Sequence, residues 1–234
     1  MVLPETRIEE TIGYIQPFLF RQPMTNTIKP VEVYQLRVYL RKISPMIWRR
    51  LWVRSDSTMA DLHHSLQIVM NWADSHLHPF LIRGKRYGLE RSGAFGFMDD
   101  AFRVRLDRFD FRPKEKFSYT YNYYDEWQLE IRFEERLPLD VKKSYPVCMA
   151  GKRAAPPEDC GGPWRLMALK QQYSLWDRGE RLLEILDDEN LAQNREDDVD
   201  EVNTYLYWLN ADRFDRGGVN QRLQELFQGE PEGT

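Results

Sequence analysis

The stretch VEVYQLRVYLRKISPMIWRRLWV, residues 31–53, decides the fold. Its first ten residues are rich in β-branched and aromatic side chains, which predicts a strand over 31–40. The tripeptide ISP that follows is a turn signal, and IWRRLWV predicts a second strand over 47–53. Together they predict an antiparallel hairpin whose polar positions are largely arginine.

A helix is predicted directly after this hairpin. Thr58 and Asp61 are three residues apart and form a variant of the capping box. Apolar residues then recur on one helical face as far as Trp72, which predicts a helix packed on a sheet. That apolar stripe consists of Leu62, Leu66, Val69 and Met70.

A second hairpin and a helical C-terminal third complete the predicted fold. FSYTYNYY (117–124) and WQLEIRFEE (127–135) alternate with period two, which predicts two strands. Apolar spacings near 3.6 predict helices over 163–172, 179–188, 197–210 and 219–228. The expected fold class is α+β, with an antiparallel sheet of hairpins packed against helices.

Three parts of the chain are expected to differ in character. Residues 1–30 carry four prolines without a sustained period and predict an N-terminal extension. Residues 31–228 predict a single α+β domain, and 229–234 a tail. Two cysteines in 234 residues indicate a reducing compartment, and the acidic start MVLPETRIEE argues against a secretory signal. A cytoplasmic protein with no membrane span is therefore expected.

Charge is distributed unevenly along the chain. The net charge of −4 argues against a bulk nucleic-acid binder. Residues 29–55, however, hold seven basic side chains against one acidic one, whereas residues 177–201 hold eleven acidic side chains against three arginines. This pattern is typical of a basic binding face and an acidic region, or of two solvated faces of one globule.

Both cysteines lie in CMAGKRAAPPEDCGG, residues 148–162. Two adjacent prolines hold the backbone extended, two glycines permit a positive φ, and Pro163 suits the first turn of the next helix. Glu158 and Asp159 precede that helix N-terminus, where carboxylates are favoured. The segment predicts a rigid turn that presents Lys152, Arg153, Glu158 and Asp159.

A zinc site is the alternative interpretation of this stretch. Cys148 and Cys160 could join His76 and His78, which alternate along an extended segment. Zinc sites normally pair their ligands closely, and the eleven residues between the cysteines do not fit that spacing. No metal or cofactor is therefore predicted, and the absence of catalytic signatures leaves no catalytic residue assigned.

The basic hairpin is the predicted binding surface. Alternate residues of paired strands share a face, which predicts a patch of Arg37, Arg41 and Arg49, with Arg54 as a further member, near Trp48 or Trp52. Arginine beside aromatic rings suits phosphate contacts and base stacking. Alternatively, the tryptophans are core and the arginines pair with Glu130, Glu134 and Glu135. The full predicted binding set is Arg37, Arg41, Lys42, Arg49, Arg50, Asp125, Trp127, Arg153, Glu158 and Asp159.

Several of these motifs resemble one family. SPMIWRRLWV (44–53), Leu62-His63, NWADSHLHPF (71–80), Tyr121 with Asp125 and Trp127, and YPVCMAGKRAAPPEDCGG (145–162) are similar to the Ri-plasmid ORF-three-like proteins. Members of this family are often labelled TnpR, as passengers of insertion elements. The resemblance runs from about Tyr34 to Asn220 and implies an α+β fold and a link to mobile genetic elements, without a defined reaction.

The chain departs from the family pattern in two places, one of which is Arg165-Leu166, where relatives have Gly-Tyr soon after the two glycines. The other is a loop. Where relatives tend to have an acid, a glycine and a histidine, this chain has Asn122, Tyr124 and Leu129. Any chemistry that this loop carries in relatives is in doubt here.

The expected function is a non-enzymatic binding protein of mobile genetic elements, which engages nucleic acid or a protein partner through the basic hairpin. One alternative is a metal- or carboxylate-dependent enzyme acting on nucleic acid or nucleotides, with Asp125, Glu158, Asp159, His76 and His78 converging. A second is an adaptor that uses the acidic helices at 177–201. The sequence does not determine the oligomeric state.

Overall fold

The computed structural model of the chain describes residues 29–88, 99–172, 180, 183, 203–204 and 206–228. The chain divides into two units, Met1–Pro30 and Val31–Thr234. Apart from Lys29 and Pro30, the described residues belong to the second unit. The predicted extension before Lys29, most of the acidic region at 177–201 with its predicted helix at 179–188, and the tail at 229–234 lie outside the described residues.

Within the described ranges, eight strands form one sheet in the order β5-β4-β3-β6-β7-β1-β2-β8. Neighbouring strands are antiparallel except β4 and β5, which are parallel. The predicted α+β class with an antiparallel sheet and a helical C-terminal region is confirmed. The strands are β1 (Glu32–Leu40), β2 (Trp48–Arg54), β3 (Phe80–Ile82), β4 (Lys85–Gly88), β5 (Asp99–Asp100), β6 (Lys116–Tyr121), β7 (Trp127–Pro138) and β8 (Val147–Lys152).

Helix α1 (Met59–Met70) follows β2, as the capping box predicts. The Thr58 hydroxyl accepts from the Asp61 N–H at 3.1 Å, and the Asp61 carboxylate accepts from the Thr58 N–H at 2.7 Å. The helix ends at Asn71, whose left-handed conformation places its N–H on the Gln67 and Ile68 carbonyls. The apolar stripe of α1 is buried in the core.

The sheet has one apolar face and one polar face. Alternate residues of β1, β6 and β7 are buried beneath α1, because side chains of a strand point to opposite faces in turn. Their intervening residues remain partly accessible to solvent. The buried set includes Leu36, Val38, Tyr119, Ile131 and Phe133.

The edge strand β8 was not predicted. Its residues Val147–Lys152 form the first part of the cysteine-bearing stretch, so only the part from Arg153 onward is loop. Asn220 covers this edge, since its side-chain amide accepts from the Cys148 N–H at 2.7 Å and donates to the Cys148 carbonyl at 3.0 Å. This amide takes the place of a further strand.

The helical elements close the other side of the core. They are a 3-10 turn (Leu106–Phe109), helix α2 (Gly162–Gln172), the helical residues 203–204 and 206–210, and helix α3 (Arg216–Gln228). Trp208, Val219 and Leu223 bury their side chains against the sheet and α1. Within the described part of the chain, no helix has the length and apolarity needed to cross a membrane.

Candidate functional site

A row of four basic side chains crosses the polar face of the sheet. Lys116 of β6 pairs in register with Arg132 of β7, Arg132 with Arg37 of β1, and Arg37 with Arg50 of β2. All four belong to the partly accessible face. We call these four residues the cation row. Like charges directly opposite each other on neighbouring strands destabilise a sheet unless groups of opposite charge compensate them.

Glutamates on both sides neutralise part of this charge. Glu130 accepts from Lys116 at 2.6 Å, and Glu134 accepts from Arg50 at 2.7 Å. Arg132 lies 3.9 Å from Glu130, and Arg37 stacks its guanidinium over the Trp48 ring at 4.6 Å. Glu135 is a third anion of this face, because it accepts from Gln35 at 2.9 Å and its charge also acts on Arg50. The four cations and three glutamates leave an excess of about one positive charge on the face.

Aromatic rings flank the cation row. Tyr39 and Trp48 form the neighbouring cross-strand pair on one side, and Trp52 pairs with Gln35 on the other. All three rings are half-buried, so each offers an accessible edge or face. The tryptophans therefore lie on the polar face beside the arginines and not in the core. This is the arrangement expected of a binding surface for bases and phosphates.

Arg49 does not belong to this surface, contrary to the sequence prediction. It points to the opposite side of β2 from Arg50 and is 1% exposed. Its Nε donates to the Val69 carbonyl at 3.0 Å, its Nη1 donates to the Trp48 and Lys152 carbonyls, and its guanidinium lies 3.8 Å from the centre of the Phe214 ring. Burial lowers the pKa of Arg49 to about 10.

The position of Arg49 has a physical explanation. Val69 is in the last turn of α1, where carbonyl groups have no partner within the helix and the helix dipole favours a cation. Arg49 therefore caps the C-terminus of α1 from inside the core. Arg49 therefore has a structural role, and we remove it from the predicted binding set.

The remaining basic residues of the prediction lie near the end of the first hairpin. Arg41 and Lys42 are exposed, and Lys42 Nζ lies 3.8 Å from Glu126. Arg153 donates to Asp212 at 3.0 Å and to the Met46 carbonyl at 3.3 Å, which fastens the hairpin loop to the C-terminal region. Arg54 is exposed and pairs with Asp56. None of these side chains joins the cation row.

Glu158 is the centre of a second cluster. This cluster forms where residues 156–159, which we call the PPED turn, meet the segment after α1. Its carboxylate accepts from the Ala73 N–H at 2.6 Å, from the Ser75 hydroxyl at 2.8 Å and from the Tyr121 hydroxyl. His76 Nε2 lies 3.6 Å away. Trp127 is fully buried and donates from Nε1 to the Glu158 carbonyl at 2.9 Å. We call this arrangement the Glu158 clasp.

The clasp shifts the acidity of its members. Burial opposes ionisation of Glu158, but the hydrogen bonds from Tyr121, Ala73 and Ser75 outweigh it, so the pKa of Glu158 lies below its usual value. Burial, together with the neighbouring Glu158 carboxylate, raises the pKa of Tyr121 to about 12. Glu158 is therefore a charged acceptor and Tyr121 a neutral donor at neutral pH.

Asp159 and Asp125 complete this region. Asp159 accepts from His76 Nε2 at 3.0 Å and from the Asn122 amide at 3.2 Å. Asp125 accepts from the Gly161 N–H at 3.2 Å, and its backbone carbonyl lies against Gly162. The structure thus brings together His76, Glu158 and Asp159, which are three of the five residues of the enzyme alternative, whereas Asp125 contacts the turn through Gly161. His78 is separate and stacks on His63 with ring centroids 3.5 Å apart.

The cysteines do not support the zinc set of Cys148, Cys160, His76 and His78. Both are free thiols, and burial raises the pKa of each to about 11. Over the described ranges, these four residues do not form a group with ligand atoms within 4.8 Å of one another. Cys148 instead lies in β8, bonded through its backbone to Asn220.

The departures from the family pattern have structural roles. Asn122 is 2% exposed, and its Oδ1 accepts from the Tyr124 N–H while its amide donates to Asp159. A carboxylate at this position could not donate to Asp159. Leu129 is fully buried on the apolar face of β7, whereas Tyr124 is 95% exposed. Asn122 thus holds the loop together through its hydrogen bonds. Leu129, which stands where relatives tend to have a histidine, is a core residue.

Sequence reasoning missed two kinds of residue. Lys116 and Arg132 were not predicted, although their alternation within the second hairpin places them on its polar face. Ser75 and the Ala73 N–H were missed because their role depends on the distant PPED turn. The pairing register of β1 with β7 would have shown that Lys116 and Arg132 lie in one row with Arg37. No sequence signal indicates the contacts of Ala73 and Ser75 with Glu158.

These features define an α+β protein with a polar, partly basic sheet face and a PPED turn clasped by buried tyrosine and tryptophan. The sequence matches the family described as plasmid pRiA4b ORF-3-like protein over residues 32–221. The chain belongs to this family, which confirms the resemblance inferred from its motifs.

Two proteins are similar to this chain, one in sequence and one in both sequence and structure. The uncharacterized protein y4hQ of Sinorhizobium fredii (strain NBRC 101917 / NGR234) is 33% identical over 134 residues, which are 57% of this chain and 69% of that protein. The crystal structure of the protein of unknown function MM3350 from Methanosarcina mazei Go1 is 33% identical, with a TM-score of 0.56. That match covers 80% of this chain and 96% of MM3350.

Proposed function

We propose that this protein binds single-stranded nucleic acid on the polar face of its sheet, as a non-enzymatic protein of mobile genetic elements. The observation that carries the proposal is the cation row, in which Lys116, Arg132, Arg37 and Arg50 are register partners on four adjacent strands. Such a row costs stability in the unbound protein and is neutralised when phosphate groups contact it.

The surroundings of the row favour a single strand as the ligand. Four adjacent strands span about 14 Å, three inter-strand spacings, which suits a backbone track across the sheet. Trp48 and Trp52 lie on either side of the row as partly accessible rings. Arg37 lies over Trp48 and Lys143 over Trp52 in the unbound protein, so unpaired bases stack on these rings once the two cations turn to phosphate groups. A base pair buried inside a duplex does not offer its faces to such rings.

The family and the cysteines support the biological setting. The family takes its name from a plasmid reading frame, which supports a role in mobile-element biology. Cys148 and Cys160 are both free thiols, and this supports the proposed reducing, cytoplasmic location.

The Glu158 clasp supports a structural role and not a reaction. Its carboxylate already accepts from three donors of the protein and lies beside His76, so it holds the PPED turn on the segment after α1. These hydrogen bonds hold the pKa of Glu158 below its usual value, which makes it a weak general base. We therefore assign the clasp to folding. The acidic adaptor region lies largely outside the described residues and supports no second function.

Fluorescence anisotropy with labelled single-stranded DNA and RNA tests the proposal. Arg37→Gln removes one of the two inner cations of the row. Arg105→Gln is the matched control, because Arg105 is an exposed arginine that pairs with Asp107 and forms a bridge with Thr58 at the start of α1. We expect Arg37→Gln to weaken binding about tenfold, which corresponds to about 1.4 kcal/mol. Equal losses in both variants, or none in Arg37→Gln, would refute the assignment.

A further inference from the structure

We propose that His63, His64 and Asp74 bind one divalent transition-metal ion of the zinc class. The donor atoms of these three residues lie within 4.8 Å of one another. His63 and His64 are neighbours on α1, and Asp74 lies in the segment that follows the helix. The proposal is independent of nucleic-acid binding, since the site lies on the α1 side of the sheet.

The distances between the donors suit a tetrahedral ion. His63 Nε2 lies 2.9 Å from Asp74 Oδ1, and His64 Nδ1 lies 3.9 Å from Asp74 Oδ2. Around a zinc ion with bonds of 2.0–2.1 Å, tetrahedral ligand atoms are about 3.4 Å apart. The two observed separations lie on either side of this value. Small side-chain rotations are therefore sufficient to close the site.

A surrounding hydrogen-bond network orients the donors. Gln67, one turn along α1, accepts from the Asp74 N–H at 3.2 Å and donates to the Tyr119 hydroxyl at 2.7 Å. Tyr119 in turn lies 2.8 Å from His63 Nδ1, and the His78 ring stacks on His63 at 3.5 Å. Gln67 thus links two of the three ligands. Metal-binding histidines typically have such a partner on the second ring nitrogen.

The chemistry of the site follows from its ligands and exposure. To bind an ion through Nε2, neutral His63 must carry its proton on Nδ1, where the Tyr119 oxygen accepts it. Two imidazoles and one carboxylate suit zinc, and they leave a fourth position open. His63 is fully buried, whereas the side chains of His64 and Asp74 are 35% and 28% exposed. The ion therefore has an entry path from solvent.

Metal analysis of the full chain tests this site. The protein is stripped with a chelator, dialysed against Zn²⁺, freed of excess ion, and analysed by inductively coupled plasma mass spectrometry. Asp74→Asn and His64→Gln each remove one donor. Asp74 has φ of 56°, a conformation that asparagine also tolerates, so its backbone is preserved. Cys160→Ser is the control, because it removes a thiol of the cysteine-based alternative. Circular dichroism confirms that each variant is folded.

We expect about one zinc per chain in the wild-type protein and in Cys160→Ser. We expect the zinc content to be at least tenfold lower in Asp74→Asn and in His64→Gln, with folding retained. No zinc above the level of a non-binding control protein would overturn the proposal. So would full retention of zinc in both donor variants, or its loss in Cys160→Ser.

Discussion

Replacement of Gly162 by alanine tests how the PPED turn is fixed to the sheet. Gly162 has φ of +77°, and a Cβ atom there would lie 2.3 Å from the Asp125 carbonyl oxygen. A left-handed conformation costs a non-glycine residue about 1–2 kcal/mol. The backbone contact adds about 1–3 kcal/mol, because overpacking displaces neighbouring atoms. We therefore expect Gly162→Ala to lower the free energy of unfolding by about 2–5 kcal/mol.

Gly84 provides the matched control. Its φ is +79°, nearly that of Gly162, but no atom lies within 4 Å of the position that a Cβ would occupy. Gly84→Ala should therefore cost only the conformational part, about 1–2 kcal/mol. Urea denaturation followed by tryptophan fluorescence measures both variants. Equal losses of stability would refute the argument that Gly162 is required by its approach to Asp125.

Two further predictions concern buried charge. Glu158→Gln should lower stability by about 1.5–3 kcal/mol at neutral pH, because hydrogen bonds to a charged acceptor are lost. The depressed pKa of Glu158 stabilises the fold above the unfolded-state pKa of about 4.3, and this stabilisation is lost as the pH falls through the folded-state pKa. The two proteins should thus converge in acid denaturation series, and a constant difference would contradict this reasoning. Arg49→Met should cost about 3 kcal/mol, since three carbonyls lose about 2 kcal/mol each while relief of the buried charge returns about 3 kcal/mol. A variant as stable as wild type in urea would show that Arg49 does not cap α1.

The local elements could be predicted from the sequence because their signals are local. The capping box at Thr58 specifies the start of α1, and both its hydrogen bonds are present. The two hairpins follow from period-two alternation with aromatic and β-branched residues. Strand β8 lacked such a signal, since VCMAGK contains one β-branched residue and a glycine. Its pairing with β2 depends on contacts distant in sequence.

The sequence did not predict correctly which side chains of β2 face the core and which face the polar side of the sheet. Arg49 and Arg50 are adjacent, so one of them must point into the core, and the alternation alone does not say which. The register of β1 against β2 decides it, by pairing Arg37 with Arg50. That register depends on the loop between the two strands and on packing against α1. The sequence therefore predicted a basic surface but included the wrong arginine.

The candidate sites combine residues from separate segments. The clasp joins the segment after α1, strand β6 and the PPED turn, which are up to 85 residues apart. The family motifs indicated these segments, yet no spacing rule indicated that Glu158 accepts from Ala73 and Ser75. The proposed metal ligands His63, His64 and Asp74 were missed for a related reason. His63 and His64 alone resemble ordinary helix residues, and Asp74 lies outside the helix.

The salt dependence of binding to a short single strand tests the central claim most directly. If the four cations of the row each contact a phosphate, the slope of log K against log salt should be about −2.8. Between 50 and 200 mM salt the affinity should then fall about 50-fold, and Arg37→Gln should reduce the slope to about −2.1. An affinity that does not change with salt, or the same slope in Arg37→Gln as in wild type, would contradict nucleic-acid binding by the cation row.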